Sequence, residues 1–404
     1  ILPLIVLLCR DMKAGDDIGL LLYQKIPMKD GINLSAKIWK PSGSNKYPAI
    51  FWFTPYISDE QHNDARQFTE AGYAFVSVDV RGRGDSEGEF LPLENDGEDG
   101  AQVIRWLAKQ PWCNGSVVMM GGSYRGMVQW QTLMHKPPAA LKTISPSASV
   151  GPGIDYPQPK NIFYSYTARW LGFVSGNTRC GNLFSDTDYW KNKYYKMYSG
   201  YIPFEKLDSL TGIPSRIFDR WISHPEYDDY WKAMTPSPEH YRQIDIPVLT
   251  ITGHFDDDQH GAMNYYFNHQ KYGREEALRN HYLVIGPWDH AGTRNPKKEL
   301  FGLTFPTNAV MDMNDLQIQW FDSILEGAAL PEFLKKRAAV YQMGINKWVY
   351  ADSFDELSNK SKTFFLTSEN GSANDVFCSG LLSEMNFSDQ PDVINYNPLK
   401  LMSK

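Results

Sequence analysis

The sequence predicts an α/β protein built on a doubly wound, mostly parallel sheet. Two short runs, "YPAIFWFTPY" and "GYAFVSVDVRG", are almost continuously apolar, which is typical of strands buried on both faces. The segment "NDARQFTEAG" between them begins like a helix and ends at a glycine. Because strands and helices alternate in this way, we expect parallel strands joined by crossover helices.

Further elements are predicted on both sides of this pair. The stretch "LLLYQKIPMKDGINLSAKIWKP" predicts two or three antiparallel strands joined at a "KDG" turn. An amphipathic helix in "EDGAQVIRWLAKQ" precedes a strand in "SVVMMGG", and strands resume in "IPVLTITGHFDDD" and "HYLVIGPWDHAG" before a closing helix in "DLQIQWFDSILEG". Ligands bind beyond the carboxyl ends of strands in such sheets, so we expect a site there.

The chain divides into five predicted segments. Residues 19–150 and 236–334 form the two parts of the α/β core, and 151–235, dense in aromatic residues, is interpreted as an inserted helical cap. We expect most of these aromatic residues to form the core of the cap and a few to line a substrate pocket. Strand-like text over 335–404 predicts the start of a β domain, and residues 1–18 are interpreted as a signal or linker remnant.

Composition limits the classes of function. The 404 residues carry a net charge of −7, so we expect neither nucleic acid nor an anionic membrane surface as a partner. The four cysteines, Cys9, Cys113, Cys180 and Cys378, have no metal-ligand spacing. No run approaches the roughly 18 apolar residues of a membrane helix. We expect a small-molecule substrate and leave the oligomeric state open.

The first residues, "ILPLIVLLCR", are similar to the end of a signal-peptide apolar region. Cys9 has a faint likeness to a bacterial lipoprotein cleavage site, although Leu8 is larger than the small residue expected there. We therefore expect an exported protein, either periplasmic, secreted or lipid-anchored. A cytoplasmic protein whose first residues form a buried strand is the alternative.

The stretch "VVMMGGSYRGMVQWQ" places Ser123 where an apolar strand passes directly into a helix. A serine hydroxyl is a weak nucleophile that needs a base and a group to orient that base. Gly121 relieves crowding before the serine, but the commonest form of the motif also has a glycine two residues after it, where this chain has Arg125. By itself the motif is weak evidence, and a simple turn serine is the alternative.

Two later strand ends supply partners for this serine. Asp256 in "GHFDDD" and His290 in "GPWDH" each follow a predicted buried strand. The order Ser, Asp, His is that of the α/β-hydrolase triad, and a parallel sheet would bring these three carboxyl ends to one edge. His254 and His260 remain rival bases.

The neighbouring acids Asp257, Asp258 and Asp289 remain rivals of Asp256. Asp289 is more consistent with bonding its own loop, because adjacent side chains such as those of Asp289 and His290 diverge.

Four linked motifs, "GYAFVSVDVRGRGDSEGEF", "PWCNGSVVMMGGSYRGMVQWQ", "GHFDDDQHGA" and "LVIGPWDHAG", together resemble the CocE/NonD hydrolases. These are the cocaine-esterase, α-amino-acid ester hydrolase and cephalosporin-acylase relatives of the X-prolyl dipeptidyl-peptidases. The resemblance runs from about Ile26 to the C-terminus and implies an α/β-hydrolase core, a helical cap and a C-terminal jelly roll, here truncated or abbreviated. It also implies that Ser123 is the nucleophile, Asp256 the acid and His290 the base.

The same resemblance assigns an oxyanion hole to the hydroxyl of Tyr56 in "FTPY" and to the backbone N–H of Tyr124. Two fixed donors there would stabilise the negative oxygen that forms during acyl transfer. The alternative for Tyr56 is an aromatic residue that packs at a proline turn.

The resemblance implies a serine hydrolase that cleaves an ester or amide through an acyl-enzyme, with no metal and no organic cofactor. We expect a carboxylesterase or an α-amino-acid ester hydrolase or acylase. Asp258 and Asp155 are candidates to bind a substrate ammonium, although Gln259 stands where a further carboxylate is expected. Acids on the surface without such a role are the alternative.

Two other functions stay open. An X-prolyl dipeptidyl-peptidase is disfavoured because those enzymes carry a large extra domain before the core, where this sequence has about 20 residues. A non-catalytic protein that binds carbohydrate or another ligand on the same fold is the other, since fold alone does not fix function.

Overall fold

The structure, a computed structural model, describes residues 18–136, 138–357, 360–368 and 380–385. The strands are β1 Ile18–Pro27, β2 Asn33–Pro41, β3 Tyr47–Thr54, β4 Ala74–Asp79, β5 Cys113–Ser123, β6 Leu141–Ser149, β7 Val248–Phe255, β8 His281–Asp289, β9 Glu299–Leu300, β10 Leu303–Thr304, β11 Ala338–Gln342, β12 Lys347–Ala351, β13 Phe365–Thr367 and β14 Leu381–Ser383. The α-helices are α1 His62–Glu70, α2 Asp96–Leu107, α3 Tyr124–Leu133, α4 Tyr166–Phe173, α5 Gly181–Ser185, α6 Thr187–Ser199, α7 Leu207–Leu210, α8 Arg216–Ile222, α9 Asp229–Lys232, α10 Pro238–Gln243, α11 Gln259–Tyr272, α12 Glu275–Leu278 and α13 Met313–Leu325. Short 3₁₀ helices span Ser58–Glu60, Pro159–Asn161, Phe204–Lys206, Thr307–Ala309 and Asp355–Leu357.

Ten strands form one sheet in the order β1-β2-β4-β3-β5-β6-β7-β8-β11-β12. The seven from β4 to β11 in this order are parallel to their neighbours. β1 and β2 pair antiparallel at one edge, and β12 pairs antiparallel with β11 at the other. The predicted parallel sheet, with its antiparallel strands at the start, is confirmed.

The sheet is covered on both faces because its central strands are apolar on both sides. In β3, Phe51 and Phe53 belong to one buried cluster, whereas Ile50 and Trp52 belong to another. Since successive strand residues point to opposite faces, these two clusters lie on opposite sides of the sheet. Met127, Val128 and Trp130 of α3 pack in the first cluster, and Trp320 and Phe321 of α13 pack in the second. This arrangement makes the sheet doubly wound.

Helices α4 to α10 lie between β6 and β7 and form the inserted helical cap. Trp170, Trp190, Trp221 and Trp231 are buried, and the rings of Trp170 and Trp221 stack with centroids 6.2 Å apart. Because stacked aromatic rings bury large apolar areas, these side chains stabilise the cap and hold its inner surface above the carboxyl ends of the strands.

The chain after residue 335 differs in part from the β domain predicted there. β11 pairs in parallel with β8, and β12 follows it, so residues 338–351 extend the main sheet. Ala338 and Ala339 are fully buried, so β11 is covered on both faces like the central strands. β13 and β14 form a separate antiparallel pair, which fits a β domain beyond the core.

Several sequence predictions fall outside the described residues. The signal or linker interpretation of residues 1–18 rests almost wholly on residues 1–17, and the remainder of the β domain falls in 369–379 and 386–404. Cys9 and Cys378 lie there too, whereas Cys113 and Cys180 are free thiols.

Among the described helices, none combines the length and the apolar character needed to cross a lipid bilayer.

Candidate active site

Ser123 lies at a sharp turn between β5 and α3. β5 ends at Ser123 and α3 begins at Tyr124, and the serine has φ 65° and ψ −128°. This left-handed backbone is strained for a residue with a side chain. A Cβ atom at Gly126 would lie 2.7 Å from the carbonyl oxygen of Ser147, so only glycine fits there. The turn therefore has the backbone of a nucleophile elbow, with its glycine displaced by one residue from the commonest motif.

Asp256 and His290 meet because β7 and β8 are adjacent parallel strands. Asp256 follows β7 and is buried, and His290 follows β8. His290 Nδ1 lies 2.9 Å from Asp256 Oδ1. Thr252 Oγ1 donates to Asp256 Oδ2 at 2.8 Å, so both carboxylate oxygens accept hydrogen bonds. A proton on Nδ1 that is donated to Asp256 leaves Nε2 as the acceptor of a second proton.

Ser123 and His290 line one cavity of about 370 Å³ below the cap, which we call the serine cavity. Its walls are largely aromatic, with two carboxyl groups. The lining residues are Tyr56, Leu93, Ser123, Tyr124, Val150, Tyr156, Tyr164, Tyr166, Trp170, Asp257, Asp258 and His290. As expected, a few cap aromatics line the pocket while others form the cap core. The dimensions and the apolar walls suit a small organic substrate.

The rival bases and acids have other partners or positions. His254 Nε2 donates to the carbonyl oxygen of Tyr341 at 2.7 Å, and the side chains of His254 and His260 are exposed. Asp289 Oδ1 accepts from the backbone N–H of Gly292 at 2.7 Å, which is the loop bond expected of it. Of the rival acids, Asp258 also approaches His290 Nδ1, at 3.4 Å, but the hydrogen bond at 2.9 Å is made by Asp256.

Tyr56 and Tyr124 both reach the serine cavity. Trp170 Nε1 donates to Tyr56 Oη at 3.2 Å, which leaves the phenolic proton of Tyr56 available for a substrate oxygen. The ring of Tyr56 also packs against Phe173, with centroids 5.6 Å apart. Tyr56 is therefore a packing aromatic residue whose hydroxyl also faces the cavity. Tyr124 is the first residue of α3, where a backbone N–H has no acceptor within the helix.

A sequence model of the X-Pro dipeptidyl-peptidases of the S15 family matches residues 30–292 of the chain. The chain belongs to this family.

Relatives within and around the family agree with the CocE/NonD resemblance, which is confirmed. The cocaine esterase of Rhodococcus sp. (strain MB1 Bresler) is 24% identical, over 92% of this chain and 67% of its own length. A solved α-amino acid ester hydrolase is 21% identical with a TM-score of 0.75, over 92% of this chain and 64% of its own. A solved CocE/NonD family hydrolase from Staphylococcus aureus is 19% identical with a TM-score of 0.63, over 92% and 61%.

The chain thus spans less than two thirds of the length of these solved relatives. The likeness to them supports the α/β-hydrolase fold, since at this identity it concerns the fold alone.

Arg83 supports Tyr56 in this member of the family and was not singled out from the sequence. Its buried guanidinium donates from Nε to the carbonyl oxygen of Pro55 and from Nη2 to that of Thr178, both at 2.9 Å. These bonds tie the residue before Tyr56 to the cap. Arg81, two residues earlier in the same loop, pairs outside the loop, with Asp99 at 2.8 Å and with Asp30.

Asp96 holds the side chain of Tyr124 through a hydrogen bond, and this role was not identified from the sequence. Tyr124 Oη donates to Asp96 Oδ2 at 2.5 Å, and the backbone N–H of Leu93 donates to the same oxygen at 3.2 Å. Burial raises the pKa of Asp96 to about 7. No local pattern signals this contact, because α2 and α3 meet only in the folded chain.

The two predicted substrate acids occupy different environments. Asp258 lines the serine cavity, and its Oδ2 lies 3.4 Å from His290 Nδ1. Burial, and then the nearby carboxylates of Asp155 and Asp256, raise the pKa of Asp258 well above its usual value.

The position of Asp155 corrects our expectation. It is not among the residues that line the serine cavity. Its Oδ1 accepts from the backbone N–H of Gly151 at 2.8 Å, and its Oδ2 accepts from that of Gly261. Asp155 therefore links the start of the cap to α11, and burial raises its pKa to about 7. Gln259 is also directed elsewhere, since its Nε2 donates to the carbonyl of Gly253.

Asp256, Asp258 and His290 bring one ligand atom each within 4.8 Å of one another, a spacing that could hold a metal ion. Two members of this group, His290 and Asp256, are already hydrogen-bonded to each other. We interpret the group as an oriented base, because that bond already satisfies Nδ1 and the adjacent cavity contains a serine.

Proposed function

We propose that the chain is a serine hydrolase that cleaves ester or amide bonds through an acyl-enzyme on Ser123. The observation that carries this proposal is that His290, hydrogen-bonded to Asp256 at 2.9 Å, lines the same cavity as the strained Ser123. Membership of a hydrolase family agrees with it.

In the proposed first half-reaction, His290 Nε2 takes the proton of Ser123 Oγ as that oxygen bonds to the substrate carbonyl carbon. Asp256 holds the ring and stabilises the imidazolium that forms. Collapse of the tetrahedral intermediate breaks the bond to the leaving group, which receives its proton from His290. Water then attacks the acyl-enzyme with His290 again as base, and a carboxylic acid and free Ser123 result.

The oxyanion of both intermediates is proposed to accept from Tyr56 Oη and from the backbone N–H of Tyr124. Trp170 donates to Tyr56 Oη, so the phenolic proton is directed toward other acceptors. The N-terminal position of Tyr124 in α3 adds the positive end of the helix dipole. A donor of this kind contributes on the order of 3 kcal/mol to transition-state stabilisation.

We infer that the preferred substrates carry an α-ammonium group. Asp257 and Asp258 lie on the wall of the serine cavity. An ammonium there would pair with Asp258 in a partly desolvated place, where charge-assisted hydrogen bonds are strong. The name of the α-amino acid ester hydrolase agrees with this class of substrate, whereas that of the cocaine esterase allows an ester without an α-amino acid.

The test is a comparison of initial hydrolysis rates for L-phenylalanine methyl ester and methyl 3-phenylpropionate, which differ by the amino group. Ser123→Ala is the control for background hydrolysis. A preference for the amino ester that Asp258→Asn weakens supports an amino-ester hydrolase, and equal rates support a general carboxylesterase.

A fluorophosphonate probe and an X-Pro anilide address the other two functions. Folded protein that neither turns over the esters nor labels at Ser123 would contradict a serine hydrolase and favour a ligand-binding protein. Release of X-Pro dipeptides from the anilide, faster than hydrolysis of either ester, would favour the dipeptidyl-peptidase activity for which the family is named.

A further inference from the structure

A second cavity, of about 280 Å³, lies beside the serine cavity, and Tyr56 lines both. We call it the arginine cavity, because Arg125, Arg179 and Arg294 line it. Asp64 is also on its wall. The formal charge of these four side chains is +2, in a chain whose net charge is −7.

Two of these guanidinium groups have no carboxylate partner in the part of the chain that the structure describes. Arg125 forms no ion pair there, and its buried Nε has no hydrogen-bond acceptor. Its guanidinium carbon lies 4.2 Å from the centroid of the Trp52 ring and 5.6 Å from that of Tyr56. Arg294 donates from Nη1 to Thr293 Oγ1 at 3.2 Å and likewise forms no ion pair among the described residues.

The two cations lie close to each other, and both side chains are half-buried. Burial, followed by the charge of Arg294, lowers the pKa of Arg125 to about 9. Burial also lowers the pKa of Arg294, against the opposing effect of the charges of Asp256 and Asp258. The carboxylate of Asp64 accepts a hydrogen bond from Asn314 Nδ2 at 3.2 Å. Two partly desolvated cations that repel each other are unfavourable, and one carboxylate on the wall leaves an excess of positive charge, so a bound anion would stabilise the arrangement.

The backbone at the nucleophile turn fixes these side chains. Arg125 is the second residue of α3, two positions after Ser123. A Cβ atom at Gly122 would lie 2.7 Å from Arg294 Cδ, so Arg294 fills the space that this glycine leaves. The planar guanidinium of arginine presents paired N–H donors that match a carboxylate or a phosphate.

We propose that the arginine cavity is a binding subsite for a small carboxylate or oxyanion, held by Arg125 and Arg294. It is distinct from the proposed acyl site, with which it shares Tyr56. Its anion comes either from solution or from a carboxylate that the substrate carries, and the chemistry of recognition is the same in both cases.

The first experiment measures thermal unfolding of the folded chain against acetate and phosphate at constant ionic strength and pH. We expect saturable stabilisation, with Tm rising by about 2–4 °C. Arg125→Met keeps the apolar stem over Trp52 and removes the charge, so we expect the Tm rise to be lost. Arg294→Met should act in the same way and serves if Arg125→Met does not fold.

Arg279→Gln is the matched control, because Arg279 is exposed and paired with Glu275. It should retain the full Tm rise. A rise of equal size in all variants would be a general salt effect and would overturn the proposal, as would no rise in the wild type. The measurement needs no turnover and can be repeated in Ser123→Ala, so its failure is separate from failure of the hydrolase proposal.

The second experiment distinguishes the two sources of the anion by comparing hydrolysis of methyl hydrogen succinate with that of methyl butyrate. A preference for the succinate ester that Arg125→Met reduces at least tenfold, with acetate as competitor, supports a substrate carboxylate. Equal rates together with the Tm rise support a free anion. Without the Tm rise in the wild type the subsite is overturned, whatever the ratio of the two ester rates.

Discussion

The serine cavity and the arginine cavity share Tyr56 but differ in charge. The first carries the carboxyl groups of Asp257 and Asp258, and the second carries the guanidinium groups of Arg125 and Arg294. Ser123 ends β5 and Arg125 is the second residue of α3, so the two lie two positions apart on either side of one turn. Ser123 lines the serine cavity and Arg125 lines the arginine cavity, so this one turn supplies both.

The difference matters for an oxyanion formed at Tyr56. Carboxylates on the serine cavity would oppose a negative oxygen, whereas Arg125, over the Tyr56 ring at 5.6 Å, favours it. The raised pKa of Asp258 makes both effects depend on pH, because a protonated carboxyl neither opposes the oxyanion nor pairs with a substrate ammonium. The following variants test, from the largest expected effect to the smallest, whether the two cavities have separate roles.

Ser123→Ala should abolish hydrolysis, with kcat falling by roughly 10⁴–10⁶ as in other serine hydrolases that lose the nucleophile. The Tm should change little, because the side chain of Ser123 faces the serine cavity. Initial ester rates and fluorophosphonate labelling measure the effect. Persistent, enzyme-dependent turnover would remove the serine cavity from the chemistry.

Asp256→Asn should lower kcat by about 10⁴, since an amide no longer stabilises the imidazolium and favours the wrong tautomer of His290. Burst kinetics with a chromogenic ester separate acylation from binding. A loss below tenfold would indicate that another acid orients the base, and Asp258, 3.4 Å from His290 Nδ1, would be the next residue to change.

Tyr56→Phe should lower kcat by about 10²–10³ and leave KM nearly unchanged, because one oxyanion donor is removed while the ring stays packed. Steady-state kinetics with an ester of fixed acyl group provide the measurement. If KM rises and kcat is retained, Tyr56 is a wall between the two cavities and the oxyanion assignment is wrong.

Asp258→Asn should reduce the amino-ester preference by about tenfold, as expected for loss of one charge-assisted hydrogen bond. Because the pKa of Asp258 is raised, its negative charge appears as pH rises, so the wild-type preference should grow with pH while the substrate amine stays protonated. The ratio of kcat/KM for the two esters across that range is the readout. An unchanged ratio in the variant would leave Asp258 without this role.

Asp96→Asn should have the smallest effect, on stability and its pH dependence. The pKa of Asp96 rises from 3.8 to about 7 on folding, so the folded chain binds a proton that the unfolded chain releases between these values. The contribution of Asp96 to the free energy of unfolding therefore falls as pH rises from about 4 to about 7, and it is constant above about pH 7. An asparagine can accept the same bonds from Tyr124 and Leu93 without titrating.

Urea unfolding at several pH values gives the free energy of unfolding as a function of pH. We expect this free energy to fall less steeply between about pH 4 and about pH 7 for Asp96→Asn than for the wild type. The slope should not vanish, because burial also raises the pKa of Asp79 to about 6 and that of Asp155 to about 7. Identical slopes in the two proteins would show that Asp96 is ionised in the folded state.

The strand pattern was sufficient to predict most of the sheet. Apolar runs such as β3 and β4 are buried throughout, and their alternation with helices admits few arrangements. It was insufficient at β11, where a short run that suited a β domain instead pairs with β8. Pairing partners depend on which edge of the sheet is uncovered, and no local pattern contains that information.

Within the site, the sequence by itself determined the turn at Ser123 and the polar strand ends at Asp256 and His290. Each of these three residues follows the apolar run of a strand, so its place at the carboxyl end of that strand can be inferred from the local sequence. The tertiary structure alone decided that Asp155 bonds the amides of Gly151 and Gly261, and that Asp96 holds Tyr124.

The tertiary structure also decided that Arg125 and Arg294, separated by 169 positions in the chain, share a cavity in which neither forms an ion pair with another described residue. Burial and charge act through space, because desolvation and Coulomb energies depend on which groups surround a side chain and not on its neighbours in sequence.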